Sequence, residues 1–201
     1  MMKIVFAMLA FFCCTASAVT LDDLQQRFSS EPVVRADFTQ LREIKGIAKP
    51  LKSSGQLLIA QAKGLWWHQT MPFPLTMVLD DKRMVQVMNG QSPQIVTAES
   101  NPQMFQFNHL LRALFQADRR VLEQNFAINF KDLGNQQWRL VLTPETSPLD
   151  KLFNTITLNG RDYLDGIELS DRQGDLTKIT LSNQRLTPRT LSDGEQQRFV
   201  F

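Results

Sequence analysis

The stretch FAINFKDLGNQQWRLVL, residues 126–142, sets the fold class. Phe126, Ile128 and Phe130 recur at every second position, Leu133-Gly134-Asn135 reads as a turn, and Trp138, Leu140 and Leu142 resume the alternation. Successive side chains of a strand point to opposite faces, so a period of two marks a strand with one apolar face. A short turn between two such strands marks an antiparallel hairpin. The signature spreads outward in both directions. Upstream, Val34, Ala36 and Phe38 alternate with Arg35, Asp37 and Thr39, Leu57 to Ala60 is a short apolar run, and Leu65 and Trp67 alternate with Trp66 and His68. Met77 to Leu79 and Met84 to Met88 flank Asp80-Asp81-Lys82-Arg83 as a hairpin, Asn89-Gly90 is another turn signal, and Gln94 to Thr97 completes this half. Downstream, Phe153 to Leu158, Tyr163 to Leu169 and Leu176 to Leu181 read as strands with turns at Asn159-Gly160 and Gln173-Gly174, and Arg198 to Phe201 reads as a last strand.

Helical patterns interrupt this series in three places. Thr20 followed by Asp23 predicts a capped helix start, and Leu21, Leu24 and Phe28 then share one face before Pro32. Asn101-Pro102 predicts a second start, followed by a stripe of Met104, Phe107, Leu111 and Leu114 that Phe105, Leu110 and Phe115 widen. Asp118 predicts a cap over residues 119–124, with Val121 and Leu122 turned inward. The expectation is a mostly β chain with a helical insert (α+β). Its strands form one large curved antiparallel sheet, an incomplete barrel.

Composition is consistent with a globular chain. It has 201 residues, 43% hydrophobic and 21% charged, with a formal net charge of +2. That balance excludes a disordered or collagen-like chain and gives no support to a nucleic-acid partner. The 14 Phe against a single Tyr, with 8 Met and 3 Trp, make the large side chains mostly apolar without a hydroxyl.

Residues 1–18 read as a secretory signal peptide: Lys3, then eleven apolar residues from Ile4 to Cys14, then Ala16-Ser17-Ala18 before cleavage at Val19. Eleven residues rise about 16 Å as a helix, roughly half a bilayer core. Cys13 and Cys14 lie inside that segment, so residues 19–201 contain no thiol and are expected to form a single domain in the periplasm.

The catalytic inventory is thin. His68 and His109 lack metal-ligand spacing, and there is no nucleophile elbow, phosphate-cradling loop or dinucleotide fingerprint. No enzyme, metal or cofactor is expected. What the chain over-supplies is large apolar surface on one face of a curved sheet. That face is either filled by the protein's own helices or left as a cavity for an acyl chain.

Several stretches taken together resemble the periplasmic outer-membrane lipoprotein carrier (LolA-like) family. Val33-Val34-Arg35-Ala36-Asp37-Phe38-Thr39-Gln40 is close to that family's first strand, Gly55-Gln56-Leu57-Leu58-Ile59 to its second, Leu65-Trp66-Trp67-His68-Gln69-Thr70-Met71-Pro72 to its aromatic third, and Val141-Leu142-Thr143-Pro144 to a later strand and turn. The resemblance implies an unclosed barrel under a helical lid, with acyl chains of a lipoprotein or lipid held in the hydrophobic cavity. It implies an inner-membrane exporter and an outer-membrane acceptor as partners, transient membrane contact only, and a monomer. On this reading Val34, Ala36, Phe38, Leu57, Ile59, Leu65, Trp67, Met77 and Leu79 line the lipid site. Met84, Met88 and Met104 add soft wall. Phe105, Phe107, Leu111 and Leu114 form the lid.

Two departures stand out. The family's Arg-Pro pair, whose Arg holds the lid shut, is replaced by Gln61 and Ala62, which implies different lid closure. The family's further C-terminal segment has no counterpart after Phe201, which suggests another cargo. The alternatives are a lipid- or lipoprotein-sensing module and a carrier of a non-protein lipid from a dedicated biosynthetic pathway. A lipid enzyme would instead show a polar triad in the cavity, and a structural envelope protein a filled interior.

Overall fold

A computed structural model describes residues 18–88, 90–97, 99–100, 113 and 118–200. Helix α1 (Leu21–Ser29) opens the chain. Its start is fixed by the predicted capping box: the Asp23 N–H donates to Thr20 Oγ1 (3.2 Å), and the Thr20 N–H donates to the Asp23 carboxylate (2.9 Å). Six strands follow: β1 (Val33–Glu43), β2 (Leu51–Ala60), β3 (Gly64–Met71), β4 (Leu75–Leu79), β5 (Arg83–Met88) and β6 (Gln94–Thr97). Helix α2 (Arg119–Asn125) is capped by Asp118, as its sequence predicts, with the carboxylate accepting from the Val121 N–H (3.3 Å). Then come β7 (Phe126–Gly134), β8 (Gln137–Pro144), the short α3 (Leu149–Leu152), β9 (Phe153–Gly160), β10 (Leu164–Asp171), β11 (Leu176–Arg185) and α4 (Asp193–Gln197).

All eleven strands make one antiparallel sheet in the order β6-β5-β4-β3-β2-β1-β11-β10-β9-β8-β7. The chain walks outward from β1 to one edge, crosses over, and returns from the other edge until β11 pairs with β1. The edge strands β6 and β7 do not pair with each other, so the barrel is unclosed, as expected. No helix among the described residues is long and apolar enough to cross a membrane.

Two expectations are corrected. The turn placed at Asn159-Gly160 lies one step later, over residues 161–163, and Gly160 is the end of β9. It is glycine for lack of room: a Cβ there would collide with the Tyr163 carbonyl and the Trp138 ring. The last strand does not form. Residues 198–200 follow α4 instead, because Ser192 and Glu195 build a second capping box that commits the segment to a helical turn. Helices α3 and α4 are additions that the alternation does not predict. The stripe from Met104 to Leu114 falls on residues that are not described. Of that region only Ala113 is described, and it is helical and buried.

Candidate functional site

Residues directly opposite in antiparallel strands share a face of the sheet, so the register lays out the inner wall in rows. One row runs Val34–Ile59–Leu65–Leu79–Met84 from β1 to β5. The next runs Ala36–Leu57–Trp67–Met77 and ends on Gln86. A third runs Phe38–Gly55–Gln69–Leu75–Met88. All nine residues nominated for the lipid site therefore stand on one face. Ala36, Phe38, Leu57, Leu65 and Leu79 are buried in the inner core, while Val34, Ile59, Trp67 and Met77 are half-buried.

Phe38 and Trp67 lie on strands that are not neighbours, yet their rings stack at 3.6 Å with 27° between planes. Gly55 makes this possible. It sits opposite Phe38, offers no side chain, and lets the Phe38 ring lie across β2 onto Trp67. A Cβ at Gly55 would collide with the His68 carbonyl oxygen, so β2 and β3 are also drawn close at this point.

The inner face beyond β1 continues the core that already holds Ala36, Phe38, Leu57, Leu65 and Leu79. Trp138, Leu140, Leu142, Ile156 and Leu158 are buried with Leu21, Leu24 and Phe28 of α1 and Leu122 of α2 in one cluster. The Phe28 ring stands 6.0 Å from Trp138 and 6.3 Å from Tyr163. Arg27 Nη1 donates to the carbonyls of Arg161 (3.2 Å) and Asp162 (3.1 Å), and Trp138 Nε1 donates to Arg161 O (2.8 Å), which ties α1 and β8 to the same turn. Arg119 of α2 bridges Asp22 (2.9 Å) and Glu123 (2.6 Å), linking the two helices. This half of the wall is filled by the protein itself. Sequence reasoning nominated none of it, although its alternation is as clear as that of β1 to β3.

Gln61 occupies the β2–β3 turn. Its Nε2 donates to Ser29 O (2.7 Å) and Glu31 O (3.1 Å), which pins the C-terminal end of α1 to the head of β3. Phe105, Phe107, Leu111 and Leu114, nominated for the lid, lie outside the described residues, as do Met104 and His109. His68 is on the outer face, where Nδ1 shares a hydrogen bond with Thr76 Oγ1 (2.8 Å) and the ring stacks on Trp66.

The outer face of β1 to β5 carries a second core of Val33, Leu58, Ala60, Trp66, Val78 and Val85, closed by Phe199. The segment after β11 is fastened there by Arg35. Arg35 Nε donates to Glu195 Oε1 (2.6 Å) and Nη2 to Oε2 (2.8 Å), while Nη1 donates to Pro188 O (2.9 Å) and Nη2 also to Thr190 O (3.0 Å). The guanidinium, helped by the Ser192 N–H, pulls the Glu195 carboxyl down to about 2. Arg198 lies over the Trp66 ring at 4.5 Å. Nothing in the alternation pattern pointed to this clasp. The Ser192–Glu195 spacing was its legible signal.

A family model described as outer membrane lipoprotein carrier protein LolA-like matches residues 13–193. The outer-membrane lipoprotein carrier protein of Methylococcus capsulatus (strain ATCC 33009 / NCIMB 11132 / Bath) is 28% identical over 182 residues, covering 87% of this chain and 81% of that one. Among solved structures, a LolA superfamily protein from Nitrosomonas europaea is similar at 11% identity and a TM-score of 0.46, over 88% of this chain and 97% of that one. A putative outer membrane lipoprotein-sorting protein domain from Vibrio parahaemolyticus gives 10% identity and 0.43, over 87% and 94%. At these scores the structural likenesses carry no further argument. With the family match spanning nearly its whole length, the chain belongs to the LolA-like outer-membrane lipoprotein carrier family, a family of carriers rather than enzymes.

Proposed function

We propose that residues 19–201, released from an export signal at 1–18, act in the periplasm as one domain that shelters acyl chains of a lipoprotein or lipid and ferries them from the inner to the outer membrane. The observation that carries this reading is the row structure of β1 to β5. Val34, Ile59, Trp67 and Met77 give the chain an apolar inner wall that is only half-buried, beside a half that α1 and α2 have filled. A hydrocarbon guest is the chemistry that fits such a wall, because it offers almost no hydrogen-bonding groups to a polar ligand. Met77 and Met84 add flexible thioethers suited to chains of varied shape.

The energetics suit a carrier. Burying a 16-carbon chain is worth on the order of 12 kcal/mol at about 0.8 kcal/mol per methylene. Leaving a bilayer costs nearly the same, so the wall has to match lipid without exceeding it. A loosely lined face achieves that, and small rearrangements then tip loading or release.

The test is native mass spectrometry of protein purified from the periplasm, paired with displacement of a fluorescent acyl probe by a diacylated peptide. Co-purified lipid and competitive displacement are the expected results. Protein that arrives empty and takes up no probe would overturn the reading.

A further inference from the structure

We infer that the end of the sheet formed by the β1–β2 loop and the β3–β4 hairpin docks on the surface of a bilayer carrying anionic headgroups. These two connections lie side by side, because β1, β2, β3 and β4 are consecutive neighbours in the sheet. Their tips are apolar and in water. Phe73 is 76% exposed, and Ile47, Leu51 and Met71 are each more than half exposed. Four large apolar side chains on two adjacent tips are more than the scattered singles usual on a soluble surface.

Charge says what these tips meet. Lys45, Lys49 and Lys52 stand among them, all exposed, and none pairs with a carboxylate among the described residues. From residue 44 to 98 the only carboxylates are Asp80 and Asp81, in the β4–β5 hairpin at the opposite end of the sheet. The nearest acids at this end are already engaged, Glu43 with Lys178 (3.7 Å) and Asp175 with Arg42 (3.1 Å). A chain with a formal net charge of only +2 thus gathers unpaired cations around protruding apolar tips. A lipid interface takes both: apolar tips enter the headgroup region, and each lysine held there raises partitioning about fivefold at ordinary salt. An apolar protein groove would receive Phe73 but leave three ammonium groups without partners.

This docking end does not depend on the nature of the cargo, because neither tip contributes to the three inner rows. It is tested by co-sedimentation of the purified chain with vesicles of phosphatidylglycerol and phosphatidylethanolamine, against vesicles of phosphatidylcholine alone. The chain is expected to sediment with the anionic vesicles, not with the zwitterionic ones, and to be released as salt shortens the screening length to about 3 Å. Phe73→Ser is expected to lower the partition coefficient by about tenfold, and Lys49→Gln with Lys52→Gln by about 25-fold. Acyl-probe uptake by these variants is expected to stay at the wild-type level, which separates loss of docking from loss of the cargo wall. Failure of the wild-type chain to sediment with anionic vesicles, wild-type sedimentation by both variants, or loss of probe uptake together with sedimentation would each overturn the inference.

Discussion

Glu195→Gln isolates the fastening of the C-terminal segment. The side chains of Arg35 and Glu195 are only 10% and 14% exposed, so their bidentate contact is poorly screened by water. The substitution keeps shape and one acceptor oxygen but removes the charge, and it turns an amide against either the guanidinium or the Ser192 N–H. Stranding one partner of a buried pair costs about 3–5 kcal/mol. The Pro188 and Thr190 carbonyls continue to accept from Arg35, so the expected loss is smaller, about 2–3 kcal/mol. The same pair predicts an acid dependence. Glu195 falls from 4.5 in the unfolded chain to about 2 in the folded one. A depressed carboxyl contributes its stability above the unfolded value and loses it as the pH falls from 4.5 towards 2. The ceiling is about 3 kcal/mol, trimmed to about 1–2 where water reaches the edge of the pair. Urea unfolding followed by tryptophan fluorescence at neutral pH and at several values below 4.5 reads both effects, since Trp66 lies beneath this segment. The variant is expected to be less stable at neutral pH and to show a flatter acid limb. The double change Arg35→Met with Glu195→Leu is expected to recover most of the loss, because it leaves no charge stranded. A single variant within about 0.5 kcal/mol of wild type, or one with an unchanged acid limb, would refute the reasoning.

Met77→Glu places a carboxylate on the half-buried wall and is expected to abolish acyl-probe uptake while circular dichroism stays native. Leu142→Ala, in the filled half, is expected to cost about 2–5 kcal/mol in urea with uptake retained. Gly55→Ala drives a methyl into the His68 carbonyl and is expected to cost more than about 2 kcal/mol, visible as a changed near-ultraviolet signal from the Phe38–Trp67 stack. Gln61→Ala removes two donors from the end of α1 and is expected to cost about 1 kcal/mol, with faster amide exchange in the last turn of that helix.

The face on which each nominated residue stands was legible because period two is rigid. Once Phe38, Leu57 and Trp67 are strand residues, their partners across the ladder follow without tertiary information. A capping box is legible for the same local reason, and Thr20 with Asp23 forms the one its spacing predicts. Ser192 with Glu195 has the same form, but the apolar pair Phe199 and Val200 beside it carries a competing strand signal. At Asn159-Gly160 the dipeptide looked like a hairpin turn. Its glycine answers instead to Trp138 and the Tyr163 carbonyl, contacts made across the sheet and invisible along the chain. Parity also does not say what covers a face. Leu65 and Leu142 alternate equally well and join one cluster with α1, yet the ring contacts of Phe28 fall on Trp138 and Tyr163, which the alternation does not foretell.

The two terminal segments bring apolar cover to opposite faces of the same sheet. A strand of this sheet needs apolar cover on at least one face to hold its register. The β7–β9 half takes that cover from inside, through Leu24 and Phe28 of α1. The β1–β5 half takes it on both faces: Phe199, on the segment that Arg35 fastens, closes the outer core of Leu58, Trp66, Val78 and Val85, while Ala36, Phe38, Leu57, Leu65 and Leu79 join the inner cluster. Strands β1 to β5 are therefore held between two apolar clusters, and of the nine nominated inner-row residues only Val34 and Met77, both half-buried, join neither. The proposed guest would rest on Val34 and Met77, because Ile59 and Trp67 already pack against the protein's own core.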